Sequence, residues 1–450
     1  MDPAVPVLSV LACAVLGFMV WERLVPSTFE TWGVYVALVV LTSVFVLSPH
    51  LLLFASGLGE ARTPVRLEYI AGGSFLGLVV LSLLCDEMWH SQRGPDVPLS
   101  LVATCGGLLA LWSPNLLGLG VGVALYGVAR LVKQKGKGIT QDIARAGLAL
   151  LGILLGAAFL YGETATFEMA ALDRFLWQHG GPHSFDLHVG LGLLMGGVAL
   201  CTGLLPPFGT FDGQGDSPIS HLLGLMVLLR LGLYLGAVAR ECFWLCLFLS
   251  LICFVWGWGT VIIHARREPL QSLGGLLAAQ RGFLLLALAF VFRGQAITLL
   301  VTVAAGYVLT QGVIRLSLRW LSFVGDIPPG QLLSRVVMSA PLVGVPLGIG
   351  LLSLTGLPPT LGFIVCLEMI RLVYLLDLTW LVPWVMAMSI LCLWSLAPLV
   401  LPLFRGERGG IDSSPPWPLR IALVLAAIAL VFLGLFSLPL VGLTHWLVGA

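Results

Sequence analysis

Polar chemistry is scarce in this chain, so its placement is informative. Arg230, His221 and Glu368 each sit within a long apolar run, as do the amides Gln280 and Gln311, with Arg281 and Arg315 close by. Such residues in apolar segments are the material of a proton or ion path. His and Glu exchange protons, Arg sets a fixed positive field, and amides pass hydrogen bonds without carrying charge. Each also has a structural use. Arg230 can be buried against the carbonyls of an interrupted helix. Glu368 and Arg371, three apart on one helical face, can form a local ion pair near the membrane surface, and the amides can pack helix on helix.

The elements that must position these groups follow from composition. Of 450 residues, 58% are hydrophobic and only 10% charged, and the mean hydropathy is +1.03. A soluble chain carries roughly 25% charged residues. The expected class is therefore an all-α polytopic membrane protein. Spans of roughly 20 apolar residues are needed to cross a bilayer. About fourteen are read here, near 4–24, 31–56, 68–89, 97–113, 114–132, 142–161, 187–211, 217–239, 241–263, 272–292, 295–319, 335–363 (running on to 376), 379–403 and 418–446. Only Trp112-Ser-Pro-Asn115 separates the fourth from the fifth, as a tight turn or a kink. Residues 164–180 read as a short amphipathic helix on the outer surface. The first apolar run lacks a basic leader and a small-residue cleavage site, and is expected to stay as a span.

Arginines and lysines concentrate in cytoplasmic loops. With the N-terminus outside, the loops after odd-numbered spans hold fourteen of them, from Arg23 to Arg420, and the other loops and helix ends six. Both termini are accordingly expected on the non-cytoplasmic side of a bacterial-type inner membrane or an equivalent energy-transducing membrane.

Two spans carry nearly the same interruption. One reads Thr202-Gly203-Leu-Leu-Pro206-Pro207-Phe-Gly-Thr-Phe211, the other Thr355-Gly356-Leu-Pro358-Pro359-Thr-Leu-Gly-Phe363. Proline removes a backbone donor and crowds the preceding turn, so both helices should break and leave main-chain groups needing partners. Matched breaks in two halves of a membrane protein point to an ion or substrate site. Aligning them gives two five-helix repeats, spans 4–8 and 9–13, with the breaks in spans 7 and 12. An odd number of crossings makes consecutive repeats inverted. The expected organisation is an N-terminal three-helix segment (1–96), a first repeat (97–240), a second repeat (241–404), and a cytoplasmic loop with a C-terminal helix (405–450).

The phrase Leu352-Ser-Leu-Thr-Gly-Leu-Pro-Pro-Thr-Leu-Gly-Phe-Ile364 resembles the Leu-Ser-Leu-Ala-Gly-Ile-Pro-x-Thr-x-Gly-Phe-Ile of the antiporter-like membrane subunits of proton-pumping NADH:quinone oxidoreductase (complex I) and the Mrp antiporters, closest to subunit N. The Pro206-Pro207-Phe208 break and the following Asp-Gly-Gln-Gly-Asp-Ser-Pro resemble, in degraded form, the same family's seventh helix. The resemblance runs from about residue 97 to the end. It implies a non-redox subunit of a respiratory translocase, with other membrane subunits and the lipid bilayer as partners and no cofactor. A component of a cation/proton antiporter, a membrane-bound hydrogenase or an inorganic-carbon uptake complex is the alternative, and a self-sufficient solute transporter the third reading.

The family resemblance also implies buried charges, and here the chain departs from it. The expected glutamate falls on Gly118, and the lysines on Thr202, near Leu228 (one or two residues from Arg230) and on Cys366; a histidine falls on Gln280. All three lysines of the chain lie in one loop, at 133, 135 and 137. Burying a charge mid-membrane costs roughly 2.5 to 3.5 kcal/mol, so charges persist there when a path needs them. Their loss, with the breaks kept, reads as an antiporter scaffold with a reduced or altered proton path.

Other patterns carry less. His179, His183 and His188 with Asp186 lie in a Gly-Pro-rich connection that reads as a surface loop, and no metal site is expected. Asp86, Glu87 and His90 end a span as a solvated boundary. Gly118, Gly120, Gly122 and Ala124 would permit close helix approach in the fifth span. The net charge of +1 and the lack of a basic, aromatic-interleaved patch give no reason to expect nucleic acid. No phosphate-binding loop, dinucleotide fingerprint or catalytic triad is visible.

Overall fold

The computed structural model describes residues 97–133, 139–179, 184–206, 218–264, 269–294, 297–324, 340–400 and 417–436. The three expected spans before residue 97, Pro207 of the first break, His183 and the loop at 405–416 lie outside the described residues. Within them the chain is helical throughout: α1 (Val97–Trp112), α2 (Leu116–Lys133), α3 (Ile139–Thr164), α4 (Met169–Gln178), α5 (Phe185–Cys201), α6 (Pro218–Tyr234), α7 (Ala239–His264), α8 (Pro269–Phe292), α9 (Ile297–Val324), α10 (Pro341–Thr355), α11 (Leu361–Leu375), α12 (Val382–Val400) and α13 (Trp417–Leu435). Short 3-10 turns at Gly236–Val238 and Thr379–Leu381 precede α7 and α12.

Sequence chemistry sets the ends of these helices. Pro218, Pro269 and Pro341 open α6, α8 and α10, where the missing N–H is no loss. Ser184 caps α5, its Oγ accepting from Leu187 N at 3.2 Å. The expected amphipathic segment is α4, which buries Met169, Leu172 and Leu176 and leaves Trp177 exposed. Asp173 of α4 accepts from Ala237 N at 3.2 Å and so caps the turn that leads into α7.

The chain divides into two units. One is formed within Met1–Leu204 and Ile219–Cys242, the other within Leu205–Pro218 and Phe243–Ala450. In the first unit, Ser113-Pro-Asn115 is a tight turn between separate helices. Gly122 of α2 packs on Gly106 and Ala110 of α1, and a Cβ there would come within 2.4 Å of the Ala110 nitrogen. The pairing runs antiparallel. α3 and α5 pack in the same way, Gly156 facing Gly190 and Leu194, and Gly197 facing Ala149 and Ile153. Small residues that bring backbones together supply contact where water expulsion offers little drive, as in a bilayer.

In the second unit Gly257 of α7 faces Gly275 and Ala279 of α8, and Ser250 Oγ donates to the Gly282 carbonyl at 2.8 Å. Gly434 of α13 lies against the Pro359 carbonyl. Leu148, Leu151, Leu154, Leu155 and Phe159 on α3 and Val255, Ile262 and Ile263 on α7 are exposed, as lipid-facing residues would be. Five helical segments are long and apolar enough to cross a membrane, within 143–164, 236–264, 271–292, 297–318 and 379–396, and shorter apolar helices accompany them.

Candidate functional site

One helix ends at each of the two repeated phrases, and the two ends share a local design. α5 ends at Cys201, and Gly203 takes φ +79°; α10 ends at Thr355, and Gly356 takes φ +71°. Only glycine enters this left-handed region without strain. In each break the threonine just before the glycine turns its hydroxyl back onto its own helix. Thr202 Oγ1 donates to Val198 O at 2.8 Å, and Thr355 Oγ1 donates to Leu352 O at 2.7 Å. At the second break Gly356 N bonds Ser353 O and Leu357 N reaches back to Leu352 O at 3.3 Å, which closes a Schellman motif. Cys392 Sγ lies 3.5 Å from Leu354 O. At the first break Leu200 O accepts from Gly203 N and from Arg145 Nε at 3.1 Å. The Leu200, Leu352, Ser353 and Leu354 carbonyls at the two ends are thus met from within the protein.

The positions where the family resemblance places charges are filled by packing. At Gly118 a Cβ would stand 2.0 Å from Ser113 Oγ, because Ser113 folds back onto the turn and accepts from Asn115 N at 3.3 Å. Thr202 is fully buried, and its hydroxyl occupies the space over Gly224. Leu228 is fully buried. Cys366 turns its thiol toward Gly356, where an added Cβ would lie 2.8 Å from the sulfur.

The surviving polar residues divide between the two units. In the first, Arg230 of α6 is 5% exposed, donates from Nη1 to the Ala110 carbonyl of α1 at 3.2 Å, and lies over the Tyr234 ring at 5.3 Å. One carbonyl it reaches is therefore on α1. His221 of α6 is fully buried, and the neighbouring Ser220 is hydrogen-bonded to Tyr126 of α2.

In the second unit the amides form a chain. Arg315 Nε donates to Gln311 Oε1 at 3.1 Å, and Gln311 Nε2 donates to Gln280 Oε1 at 3.1 Å, joining α9 to α8. Gln311 is fully buried. Arg281 lies within electrostatic reach of the buried Tyr307, as does Arg315. Thr310 and Ser353 join their hydroxyls at 2.9 Å, so that α9 is also tied to the last turn before the second break. Tyr307 and Thr310 are contributors that sequence reasoning did not assign; their place on the Gln311 side of α9 was the available signal.

Glu368 and Arg371 form an ion pair at 3.5 Å on the outer side of α11, with side chains 44% and 69% exposed. His179 and His188 each turn Nδ1 to a carbonyl of their own segment, Phe175 O at 2.9 Å and Ser184 O at 2.8 Å. Among the described residues no group of His, Cys, Asp and Glu is arranged to hold a metal.

No family model matches the chain. It is 26% identical over 428 residues to NADH-quinone oxidoreductase subunit N of Ectopseudomonas mendocina (strain ymp), an alignment that covers 86% of this chain and 85% of that protein. A chain of the Mrp complex from Dietzia sp. DQ12-45-1b superposes with a TM-score of 0.76 at 17% identity, over 100% of this chain and 97% of that one. The chain therefore has an antiporter-like fold. A chain of the membrane-bound sulfane sulfur reductase, an archaeal respiratory membrane complex, has the same antiporter-like fold, with a TM-score of 0.72 at 15% identity over 100% and 96% of the two chains. So does a chain of respiratory complex I from Thermus thermophilus, at 0.71 and 20% identity over 96% and 97%. The likeness of fold to these three chains covers between 96% and 100% of this one.

Proposed function

We propose that this chain is a non-redox membrane-arm subunit of a complex I-like respiratory assembly, with a scaffolding role and a reduced proton path. One observation carries the reading: the helix breaks are kept while the positions of the family's charges are sealed by ordinary packing, most plainly at Gly118 beneath the Ser113 hydroxyl. A carboxylate or ammonium group has neither room nor a titratable substitute there. In this reading Arg230, His221, Gln280 and Gln311 are the remnant of a path, held by fixed donors, and the Glu368–Arg371 pair faces lateral neighbours.

The reading includes about fourteen spans and two inverted five-helix repeats. The repeat is supported by the shared order of the two units, in which a glycine-packed antiparallel pair precedes a break built of threonine and positive-φ glycine. It also includes both termini outside the cytoplasm, supported by the arginine and lysine bias of the loops.

The test replaces Arg230 with Gln, His221 with Asn and Glu368 with Gln in the intact assembly. Assembly yield is measured apart from protons moved per turnover. Lower yield at constant stoichiometry is the expected result. Loss of pumping in a normally assembled complex would defeat the scaffold reading.

A second reading, a component of a cation/proton antiporter, is favoured by the fold likeness to the Mrp complex. Chains that accompany the protein after gentle detergent extraction separate the two: hydrophilic iron–sulfur subunits belong to the first, an all-membrane set to the second.

A further inference from the structure

In the first unit α3 and α5 pack antiparallel, Gly156 against Gly190 and Gly197 against Ala149, so the end of α3 and the start of α5 lie at the same end of the unit. α4 is strung between them and pinned along that end. Met169 N donates to the Pro114 carbonyl of the α1–α2 turn at 3.0 Å, and Asp173 holds Ala237 N. Three large aromatic side chains stand exposed there: Tyr161 near the end of α3, Trp177 in the last turn of α4 and Phe185 at the start of α5, the last two at 66% and 80%. Tyr161 is fixed by stacking on Phe167, with ring centroids 4.4 Å apart. The opposite end, where α2 stops and α3 begins, has no exposed aromatic among the described residues.

Chemistry narrows what meets this surface. Water is a poor match for two aromatic rings left mostly uncovered. A protein partner keeps the core of its contact clear of charge, yet Glu163, Glu168, Arg174 and Asp186 stand exposed around the rings. The headgroup and glycerol layer of a bilayer accepts both kinds of group, and it is where Trp and Tyr gather at the ends of spans. Position agrees. The exposed apolar face of α3, from Leu148 through Leu151 and Leu155 to Phe159, leads up to Tyr161. At a rise of about 1.5 Å per residue, Tyr161 lies about 4.5 Å inside the end of α3. α4 has already turned Met169, Leu172 and Leu176 into the protein, so what it presents outward is Trp177 among charged residues. These exposed charges include no cluster of cations, so a zwitterionic lipid suffices.

We infer that this end of the first unit is a lipid-anchoring surface, with α4 lying in the headgroup and glycerol layer and Trp177 and Phe185 in contact with phospholipid. No neighbouring subunit covers these two positions. The anchor is independent of proton conduction by this subunit and of which end faces the cytoplasm.

The test puts the photoreactive residue p-benzoylphenylalanine in place of Trp177, Phe185 or Leu155, one at a time. The full chain, with the subunits that accompany it, is illuminated in phosphatidylcholine nanodiscs, and adducts are read by intact and fragment mass. At Trp177 and Phe185 one exposed aromatic replaces another, so the fold is kept. Leu155 faces outward on α3 and serves as the reference for capture of lipid. The chain should gain the mass of one phosphatidylcholine at all three positions. The new bond should fall on the glycerol or the first acyl carbons at Trp177 and Phe185, and further along the acyl chains at Leu155. A crosslink to another subunit at Trp177 or Phe185 would overturn the inference. So would a bond near the acyl ends at those positions, or the lack of any lipid adduct there while Leu155 gives one.

Discussion

At Gly118, where the family resemblance would place an acid, packing leaves no room for one. The Ser113 side chain stands in the space that a side chain at this position of α2 would need, so introducing an acid requires more than one change. Gly118→Glu alone should overpack the α1–α2 pair and cost about 1–3 kcal/mol, seen as a lower unfolding temperature in detergent. Adding Ser113→Gly should recover part of that loss. If the single variant is as stable as the wild type, the site has more slack than its geometry states. Gln311 gives a second test at this scale. It accepts from Arg315 and donates to Gln280, so Gln311→Leu strips two half-buried partners at once and should cost about 1–2 kcal/mol by the same measurement. Gln280 and Gln311 were visible in the sequence as polar residues in apolar runs. Their pairing was not, because it depends on the rotation of α8 against α9, and helices apolar on nearly every face do not declare their rotation by periodicity.

The breaks were the most legible elements, since proline and glycine act through the backbone and leave a signature in the sequence. The partners of the freed carbonyls were less legible. The two threonine caps are local, but Arg145 reaches Leu200 across 55 residues, and no spacing rule connects them. The stability of the second break rests on Gly356, which combines a left-handed φ with a crowded Cβ position facing Cys366. Gly356→Ala should therefore cost about 1–2 kcal/mol, from the left-handed backbone together with the contact. Gly312, in the middle of α9 with open space around its Cβ position, provides the control. Gly312→Ala should be neutral or stabilising by up to about 1 kcal/mol, because alanine is the better helix former. Equal losses at both glycines would mean that helix packing, not the left-handed turn, sets the cost.

At the scale of the molecule, fold and function separate. The described residues have the antiporter-like fold, and in the proposed reading glycine, threonine, leucine and cysteine stand where the family resemblance places charged groups. Backbone features persist because each is tied into packing on several sides, whereas a buried charge costs roughly 2.5 to 3.5 kcal/mol and is easily shed when nothing uses it. The proposed topology rests on the basic residues of the loops, fourteen after odd-numbered spans against six elsewhere. Reporter fusions after Gly138 and after Gly180 bracket α3 and α4 and test this directly. A fluorescent protein fused after Gly138 should fold and glow in the cytoplasm, and a periplasmic phosphatase fused after Gly180 should be active. The reverse pattern would invert the molecule. Activity of both reporters at both positions would mean that the loop charges, fourteen against six, do not set the orientation of this chain.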